Sequence, residues 1–581
     1  MNENILKLKP AGIWKEFQGI LNVPRPSKKE EKMVAYLEKW AKDHKVKYVK
    51  EPCGNIIMSV PATKGMEDRQ TVILQAHMDM VCEKNNDKKH DFEKDPIEAV
   101  IKGEWLHANG TTLGTDDGIG VAAALAVIAD PKVEHGPLEC IFTVDEETGL
   151  TGAMKLNPKD ITGRILLNLD NEEEGEICIG CAGGMDTIVK VWYELEPAPE
   201  DCTAYRITVS GLKGGHSGDD INKNLANANK LLTRILWQAT TWFDLQLYDF
   251  QGGNLRNAIA REATAVAFIP NESVGDFMHY VKDMEKHFKK EYQVTEPGLK
   301  VTAEVAKEQP DVVIDEMTQF NLLNGLYACP HGVIAMSQTI PNFVETSTNL
   351  ASCKKKEGYF FIQTSQRSSI ESSKQDIANM VEAVWSLADA DVEHTDGYPG
   401  WAPNPNSAIL DVAVSCYKKR FKKDPKVRAI HAGLECGLIG DKIPGMDMIS
   451  FGPTLRGVHS PDERCEIATV QMFWDFMCDI LKNAPKAGAT KAAAKKVTTK
   501  KAAAKKAPAK KATAEKKTPA AKKATAKKAP APSKKAPAHK SQAKKAVGSK
   551  KAASVQKAAV SKATVKQKAA RKSPANKTVK K

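Results

Sequence analysis

The sequence lacks long apolar runs. No stretch of about 18 apolar residues occurs among the 581 residues, which excludes a conventional transmembrane helix. The opening residues, MNENILKLKPAGIW, contain no apolar core of the kind that a secretory signal peptide needs. The 12 cysteines are scattered, which is more typical of buried thiols than of a disulfide framework. We therefore expect a cytoplasmic protein that does not contact the membrane.

Residues 486–581 lack the side chains that build a core. They contain no Phe, Trp, Tyr, Leu, Ile or Met, and AKKA-like units recur with Thr, Pro and Ser. Because such a segment cannot bury enough apolar surface to fold, we predict a disordered tail. The tail holds 32 of the 85 basic residues but only one of the 72 acidic residues, Glu515, which leaves 53 and 71 in residues 1–485. The formal charge is therefore +31 for the tail and −18 for the body.

A polycation of this kind binds phosphate backbones by counterion release, without reading sequence. The absence of aromatic residues argues against base stacking. The tail resembles the lysine- and alanine-rich tails of linker histones and bacterial histone-like proteins. This resemblance implies non-specific contact with DNA, RNA or another polyanion. Two alternatives are a solubilising appendage and a tail that folds back onto the acidic body.

One short apolar run ends in ionisable residues. Residues 71–79 read TVILQAHMD, so β-branched and leucine side chains lead into His77 and Asp79. The run is short and follows the charged segment MEDRQ, which predicts a buried strand covered on both faces. Ligands of open α/β sheets bind at the carboxyl ends of strands. We therefore expect a functional site at His77 and Asp79.

Other ionisable residues follow further predicted strands or open a glycine-rich turn. They are Asp116 and Asp117 in GTDDG, Asp145, Glu146 and Glu147 in DEETG, Asp170 in NLDN, and His459 after MISFGP. Imidazole and carboxylate together suit Zn²⁺, Mn²⁺ or Co²⁺. Two metals about 3.5–4 Å apart need one shared carboxylate. Convergence of these residues predicts a two-metal site, whereas each motif alone is more typical of a solvated loop, a turn or a hydrogen-bonded histidine.

The pattern of strands and helices changes twice along the chain. Residues 1–186 place buried strands among helices, and Ser27 with Glu30 three residues later predicts the start of a helix. Residues 187–394 mix strand-like runs with helices in the manner of a smaller α+β domain. The first pattern returns in residues 395–485. We predict an α/β fold in which a discontinuous catalytic domain with a central, mostly parallel sheet is interrupted by an inserted α+β domain.

The ordered motifs of residues 5–485 resemble a known family. They are QAHMDMV, KNNDKKHDFEKDPI, GTTLGTDDGIG, DEETG, NLDNEEEGEI, GCAGGMD, GLKGGHSG, LRNAIARE, YPGWAPNPNS, HAGLECGL and GPTLRGVHSPDE. Together they resemble the co-catalytic zinc peptidases and amidohydrolases of the aminoacylase/carboxypeptidase type, and within them the aminoacyl-histidine dipeptidases. The resemblance implies that the protein binds two divalent metal ions. Zinc is the expected metal, with cobalt or manganese as alternatives.

The resemblance also implies roles in the predicted metal site. The metal ligands would be His77, Asp116, Glu147, Asp170 and His459, with Asp116 shared by both metals. Glu146 would be the general base and later the general acid. Asp79 would hydrogen-bond the far nitrogen of His77 and fix its tautomer. Neighbouring side chains on a strand point in opposite directions, so Glu146 and Glu147 would face different partners. Family members often have Asp-Asn at positions 116 and 117, which leaves Asp117 as an alternative ligand.

The resemblance implies that the inserted domain is a lid through which the protein forms a homodimer. His216, in GLKGGHSG, would stabilise the oxyanion, often from the partner subunit. Arg367 would bind the carboxylate at the substrate's C-terminus, for which a planar guanidinium is suited. Asn257 would donate a hydrogen bond near the carbonyl group. The alternative for His216 is a surface histidine in a glycine-flanked loop.

These observations predict a metal-dependent dipeptidase that hydrolyses short unblocked peptides of the Xaa-His type. A tripeptidase and an N-acyl amino acid amidohydrolase are alternatives within the same family. An alternative from a different class is a nucleoid-associated protein that binds through its basic tail.

Overall fold

The computed structural model describes residues 3–488. The predicted disordered tail therefore lies outside the described residues, apart from its first three positions, 486–488. Within the described part, none of the helices combines the length and hydrophobicity that a bilayer span requires.

Twelve α-helices occur in the described part of the chain. They are α1 (Ala11–Leu21), α2 (Glu31–Asp43), α3 (Thr115–Ala129), α4 (Glu146–Gly149), α5 (Thr151–Lys155), α6 (Ala228–Phe243), α7 (Val274–Glu291), α8 (Glu316–Ala328), α9 (Glu371–Leu387), α10 (Ala408–Phe421), α11 (Glu435–Lys442) and α12 (Ile467–Lys482). Helix α2 begins after Glu30, and neither Glu30 nor Ser27 caps it with a side-chain hydrogen bond. The prediction that Ser27 starts this helix is therefore wrong.

The same residues form 25 strands. The first eight are β1 (Lys47–Lys50), β2 (Ile56–Val60), β3 (Val72–His77), β4 (Ala99–Lys102), β5 (Trp105–Ala108), β6 (Leu138–Thr143), β7 (Ile165–Asn168) and β8 (Glu176–Cys181). The next thirteen are β9 (Gly183–Trp192), β10 (Leu195–Pro197), β11 (Cys202–Ser210), β12 (Gly215–His216), β13 (Gln246–Gly252), β14 (Ala258–Ile259), β15 (Ala263–Pro270), β16 (Lys300–Val305), β17 (Val312–Ile314), β18 (Gly332–Met336), β19 (Val344–Lys355), β20 (Tyr359–Ser368) and β21 (Asp391–His394). The last four are β22 (Lys426–Ile430), β23 (Asp447–Ser450), β24 (Leu455–Arg456) and β25 (Arg464–Glu466).

The first large sheet has eight strands in the order β1-β2-β6-β3-β7-β23-β8-β22. Strand β3 lies parallel to both β6 and β7, and β7 lies parallel to β23. Strands β1 and β2 extend the sheet with antiparallel pairs. The sheet is therefore mixed, but the strands around β3 are parallel, and the prediction of an α/β fold is confirmed.

Both faces of this sheet are covered, as the apolar run of β3 predicts. Val72, Leu74 and Ala76 lie in one core cluster together with helices α1, α3 and α12. Ile73 lies in a second cluster on the opposite face, which includes residues of α5 and α11. Every residue of β3 is buried, because alternate side chains pack against different helical layers.

The second large sheet is antiparallel, and each of its nine strands comes from residues 183–394. Its order is β16-β11-β15-β13-β19-β20-β9-β21, with β18 paired to β19. Helices α6, α7, α8 and α9 pack on it in a separate core cluster. Strand β8 ends at Cys181 and strand β9 begins at Gly183, with a single residue between them. The chain therefore passes directly from one sheet into the other. The division into a catalytic domain and an inserted lid domain stays a prediction.

We expect Leu74→Ala to lower the free energy of unfolding by about 2–5 kcal/mol, because the substitution leaves a cavity beneath β3. Leu74 is fully buried, whereas Leu387 at the end of α9 is 89% exposed. Leu387→Ala is the matched control and should change stability by less than about 0.5 kcal/mol. Urea unfolding followed by circular dichroism measures both. Equal stability of the two variants would contradict the placement of β3 in the core.

Candidate metal centre and active site

Three parallel strands bring ionisable residues to one edge of the first sheet. His77 is the last residue of β3 and pairs with Thr143 at the end of β6. Glu146 and Glu147 follow β6, and Asp170 follows β7. Because parallel strands end at the same edge, these side chains come together although they are far apart in sequence.

Two sets of the predicted ligands share Asp116, and a further set brings Glu146 together with His77 and Glu147. In the first set, His77 Nε2 lies 3.0 Å from Asp116 Oδ1 and 3.7 Å from Asp170 Oδ1. In the second set, His459 Nε2 lies 3.1 Å from Asp116 Oδ2 and 3.0 Å from Glu147 Oε2. Each set offers three ligand atoms within 4.8 Å of one another. The two oxygens of Asp116 therefore face different histidines.

Asp116 and Asp117 occupy different environments at the start of α3. Burial tends to raise the pKa of Asp116, but hydrogen bonds to His459 and His77 outweigh burial and hold that pKa well below its usual range. Asp117 Oδ1 instead accepts a hydrogen bond from the backbone N–H of Gly120, at 3.1 Å, inside the helix. The described contacts thus favour Asp116, and not Asp117, as the shared carboxylate.

Asp79 ties His77 to the glutamate pair. Its Oδ1 lies 3.3 Å from His77 Nδ1 and accepts a hydrogen bond from the backbone N–H of Glu146 at 3.1 Å. Its Oδ2 accepts hydrogen bonds from Ser27 Oγ at 2.8 Å and from the backbone N–H of Glu147 at 3.3 Å. Asp79 therefore sets the orientation of the imidazole and the position of the glutamate backbone at the same time.

Glu146 and Glu147 lie in the short helix α4, so their predicted place on a strand is wrong. Successive helical residues are about 100° apart, which still separates the two side chains. Glu147 Oε2 contacts His459, and Glu147 Oε1 is buried without a hydrogen-bond partner among the described residues. Burial raises the pKa of Glu146 well above its usual range; the charge of His77 opposes the rise, and Glu435 and Glu147 add to it.

The two ligand sets open into a cleft of about 440 Å³. Its walls include the metal-site residues and a second group of charged side chains beside them. The second group consists of Glu172, Glu173, Glu176, Asp219, Arg428 and Arg456. Ile430 and Leu434 supply apolar surface. The cleft therefore offers both acidic and basic groups to a ligand.

The three predicted lid residues do not line this cleft. Arg367 and Asn257 line a separate cavity of about 150 Å³. Arg367 Nε donates to Ser217 Oγ at 3.3 Å, and its Nη1 donates to the hydroxyl of Tyr398 at 3.2 Å. His216 Nδ1 accepts hydrogen bonds from the backbone N–H groups of residues 218 and 219. Burial, and then the charge of Arg367, lower the pKa of His216 and favour its neutral form.

Several buried residues support the site but were not predicted. Glu463 accepts hydrogen bonds from the backbone N–H groups of Leu113, Gly114 and Thr115 at 2.8–2.9 Å, and from Thr115 Oγ1 at 2.7 Å. It thereby holds the turn that presents Asp116. The only signal in the sequence is its place in HSPDE, four residues after His459.

The loop between α1 and α2 supplies a second group of supporting residues. Arg25 is 2% exposed and donates hydrogen bonds to the backbone oxygens of Met78, Asp79 and Gly114. Ser27 bonds Asp79, and Glu30 accepts from the backbone N–H of Asp145 at 3.1 Å. This loop therefore fastens β3, α3 and the glutamate segment to one another.

The donor set fits two divalent metal ions. It combines two imidazole nitrogens with carboxylates, one of which is placed between the two histidines. The unpartnered Glu147 Oε1 and the packed carboxylates are costly to bury without a cation. A third acidic group, formed by Glu30, Asp79 and Asp145, has its oxygens occupied by internal hydrogen bonds and is structural.

Comparison with known proteins identifies the family. Residues 73–483 match the profile of peptidase family M20/M25/M40. The chain belongs to this peptidase family. It is 42% identical over 481 residues to the cytosol non-specific dipeptidase of Escherichia coli K12, a match that covers 82% of this chain and 99% of the relative. The predicted membership among co-catalytic metallopeptidases, and the assignment as a hydrolase, are confirmed.

Two solved structures share the fold of this chain. The aminoacylhistidine dipeptidase of Vibrio alginolyticus is 40% identical, with a TM-score of 0.80, and the match covers 84% of this chain and all of that chain. The aminopeptidase PepT of Bacillus cereus is 16% identical, with a TM-score of 0.53 over 82% of this chain and 98% of its own, and shares the fold alone. The E. coli and V. alginolyticus relatives are thus matched over 99–100% of their length, whereas 16–18% of this chain has no counterpart in them.

We expect Glu463→Gln to weaken metal binding about 10- to 100-fold, because the amide loses acceptor capacity and the turn that carries Asp116 loosens. Glu466→Gln is the matched control. Glu466 lies three residues after Glu463, at the end of strand β25, and its carboxylate makes no hydrogen bond or ion pair among residues 3–488. Competition with a chelator, read as metal retained per chain, measures the effect. Equal retention by both variants would remove Glu463 from the support of the site.

Proposed function

We propose that this M20 peptidase is a metal-dependent dipeptidase of the cytoplasm that hydrolyses unblocked dipeptides, including Xaa-His dipeptides. The observation that carries the proposal is the pair of ligand sets sharing Asp116, with Glu146 beside them in an open cleft. The names of two relatives that are at least 40% identical, both dipeptidases, support the substrate class. Tripeptides and N-acyl amino acids are the alternative substrates within the family.

The proposed ligands are His77, Asp116 and Asp170 for one ion, and Asp116, Glu147 and His459 for the other. Bound there, two divalent ions supply Lewis acidity and make water a stronger acid. Zinc suits the mixture of imidazole and carboxylate, and cobalt or manganese is the alternative. This assignment rests on the chemistry of the donor atoms.

Glu146 is proposed as the general base. Burial raises its pKa, which makes the Glu146 carboxylate a stronger base. In this role it accepts a proton from the attacking water and donates it to the leaving amine. Asp79 acts through His77, whose Nδ1 it faces at 3.3 Å. This contact fixes which imidazole nitrogen is free to bind metal.

Arg367, Asn257 and His216 are proposed to bind substrate after the second sheet approaches the cleft, or from the second subunit of a homodimer. Two observations support this proposal. Arg367 is buried with no carboxylate partner among the described residues, which leaves its charge available for a substrate carboxylate. The aromatic ring of Tyr398 lies between the Arg367 cavity and Gly433 of the cleft wall. The ring therefore borders both spaces.

We expect the metal-loaded protein to cleave Gly-His and β-Ala-His, and to lose this activity on chelation. Restoring Zn²⁺, Mn²⁺ or Co²⁺ should return the activity, because the ligand sets remain intact. The measurement is release of free histidine from a panel of unblocked dipeptides, tripeptides and N-acyl amino acids. Cleavage of only the N-acyl compounds would overturn the dipeptidase proposal and leave the family assignment in place.

Glu146→Gln is the control within the same experiment. The substitution removes the base but no proposed ligand, so turnover should fall about 10²- to 10⁴-fold while bound metal stays near the wild-type level. Loss of metal from this variant would instead make Glu146 a ligand.

We propose a second activity for the tail, namely binding of nucleic acid without sequence preference. The charge contrast of +31 against −18 supports it, as does the match to full-length relatives over only 82–84% of this chain. The tail lies beyond the residues that the structure describes, so sequence and comparison alone carry this proposal.

We expect a chain truncated after Gly488 to lose DNA binding and to keep dipeptidase kcat/KM within about 2-fold. The cut preserves Lys486, whose Nζ lies 2.6 Å from Asp68 Oδ2. Titration of a labelled duplex at several salt concentrations measures the binding constant. Its logarithm should fall linearly as the logarithm of the salt concentration rises. Full-length Glu146→Gln is the control and should bind DNA normally. Binding by the truncated chain would assign the interaction to the body.

A further inference from the structure

Glu172 differs from the other acidic residues that line the cleft outside the proposed metal site. Two of them have a basic side chain within 4 Å: Glu173 with Arg456 at 2.6 Å, and Glu176 with Arg428 at 2.9 Å. Asp219 lies 3.7 Å from the imidazole of His216, whose neutral form is favoured. The carboxylate of Glu172 makes no hydrogen bond or ion pair within residues 3–488, and the residue is exposed where it lines the cleft. Burial and the nearby carboxylates of Asp116, Glu463 and Glu147 raise the pKa of Glu172 to about 7, although His459 opposes the rise. A cationic ligand beside this carboxylate would therefore favour its charged form.

The backbone around Glu172 is held firmly between two parts of the metal site. The backbone oxygen of Glu172 accepts a hydrogen bond from the N–H of Leu455 at 3.0 Å and from Arg456 Nη1 at 3.4 Å. Glu172 follows Asp170 by two residues, and Leu455 lies on the strand that leads to His459. The backbone of Glu172 is thus held beside both ligand sets, and its side chain lines the same cleft.

An unblocked dipeptide brings a cationic group into this cleft. In such a substrate the α-ammonium nitrogen is two bonds from the carbonyl carbon that is attacked. The ammonium group must therefore enter the cleft whenever the carbonyl lies beside Glu146 and the ligand sets. Desolvating a cation in the cleft is costly unless a carboxylate compensates it.

We propose that Glu172 binds the α-ammonium group of the substrate and makes the enzyme selective for unblocked dipeptides over N-acylated amino acids. The inference rests on the proposed dipeptidase function. Glu172 is assigned as a specificity residue: it binds the end of the substrate and takes no part in proton transfer.

Gly-His and N-acetylhistidine form a matched pair of probes. They differ only in that the ammonium group of Gly-His is replaced by hydrogen in N-acetylhistidine. We expect Glu172→Gln to lower kcat/KM for Gly-His about 10- to 100-fold, chiefly through KM, because a charge-assisted hydrogen bond is lost. N-acetylhistidine should be unaffected, read as kcat/KM or, where it is not cleaved, as its inhibition constant against Gly-His.

Glu173→Gln is the matched control, since it removes the same charge from the same cleft but from a carboxylate already paired with Arg456. It should change kcat/KM for Gly-His less than about 3-fold. The experiment uses the full-length, metal-loaded enzyme, and metal content is measured for each variant and should be equal.

Two results overturn the inference alone. One is a wild type that prefers Gly-His and a Glu172→Gln variant that retains this preference in full. The other is an equal loss for both probes, which would make Glu172 a general electrostatic influence on the metal site. A wild type with no preference for Gly-His over N-acetylhistidine would overturn both this inference and the proposed dipeptidase function.

Discussion

The placement of Asp116 between two histidines is the constraint on which the rest of the site depends. One oxygen of Asp116 faces His77, which ends the buried strand β3. The other faces His459, which lies in a loop 343 residues after Asp116. Neither histidine position is useful unless the turn before α3 is held still. Glu463 supplies that restraint by accepting three backbone N–H groups of the turn, and it follows His459 closely in sequence. The segment that brings the second histidine therefore also fixes the shared carboxylate.

Burying so many carboxylates at one edge of a sheet creates an electrostatic problem. Burial raises the pKa values of Asp170 and Glu146 well above their usual range, since each carboxylate loses solvent and faces others of the same charge. Histidine side chains and backbone N–H groups offset part of this cost, as the four contacts of Asp79 illustrate. Two divalent cations would offset much of the remainder. The same acidic residues that destabilise the empty arrangement thus give it affinity for metal.

Residues at strand ends were predictable because their signal is local. The run TVILQAHMD indicates a buried strand and contains the ionisable residues at its end. Parallel pairing with β6 then places these residues beside those that follow β6. Ser27 was misassigned for the opposite reason: its spacing to Glu30 fits a helix start, but its hydroxyl bonds Asp79, 52 residues away. Glu463 and Arg25 act across still longer separations, so no local pattern reveals them. The roles assigned through family resemblance to His216, Asn257 and Arg367 remain predictions, because the structure places these residues away from the cleft.

The two charged ends of a dipeptide explain how such a site measures length. Glu172 is proposed to hold the ammonium end, and Arg367 the carboxylate end, so the distance between them sets the number of residues that fit. Each extra extended residue lengthens a peptide by about 3.3–3.6 Å, which is enough to break one of the two contacts. In the described arrangement the ring of Tyr398 packs against Gly433, between the cleft and the Arg367 cavity. If Glu172 and Arg367 have these roles, a dipeptide can engage both groups only when the ring of Tyr398 moves, and the two contacts would supply the free energy for that change.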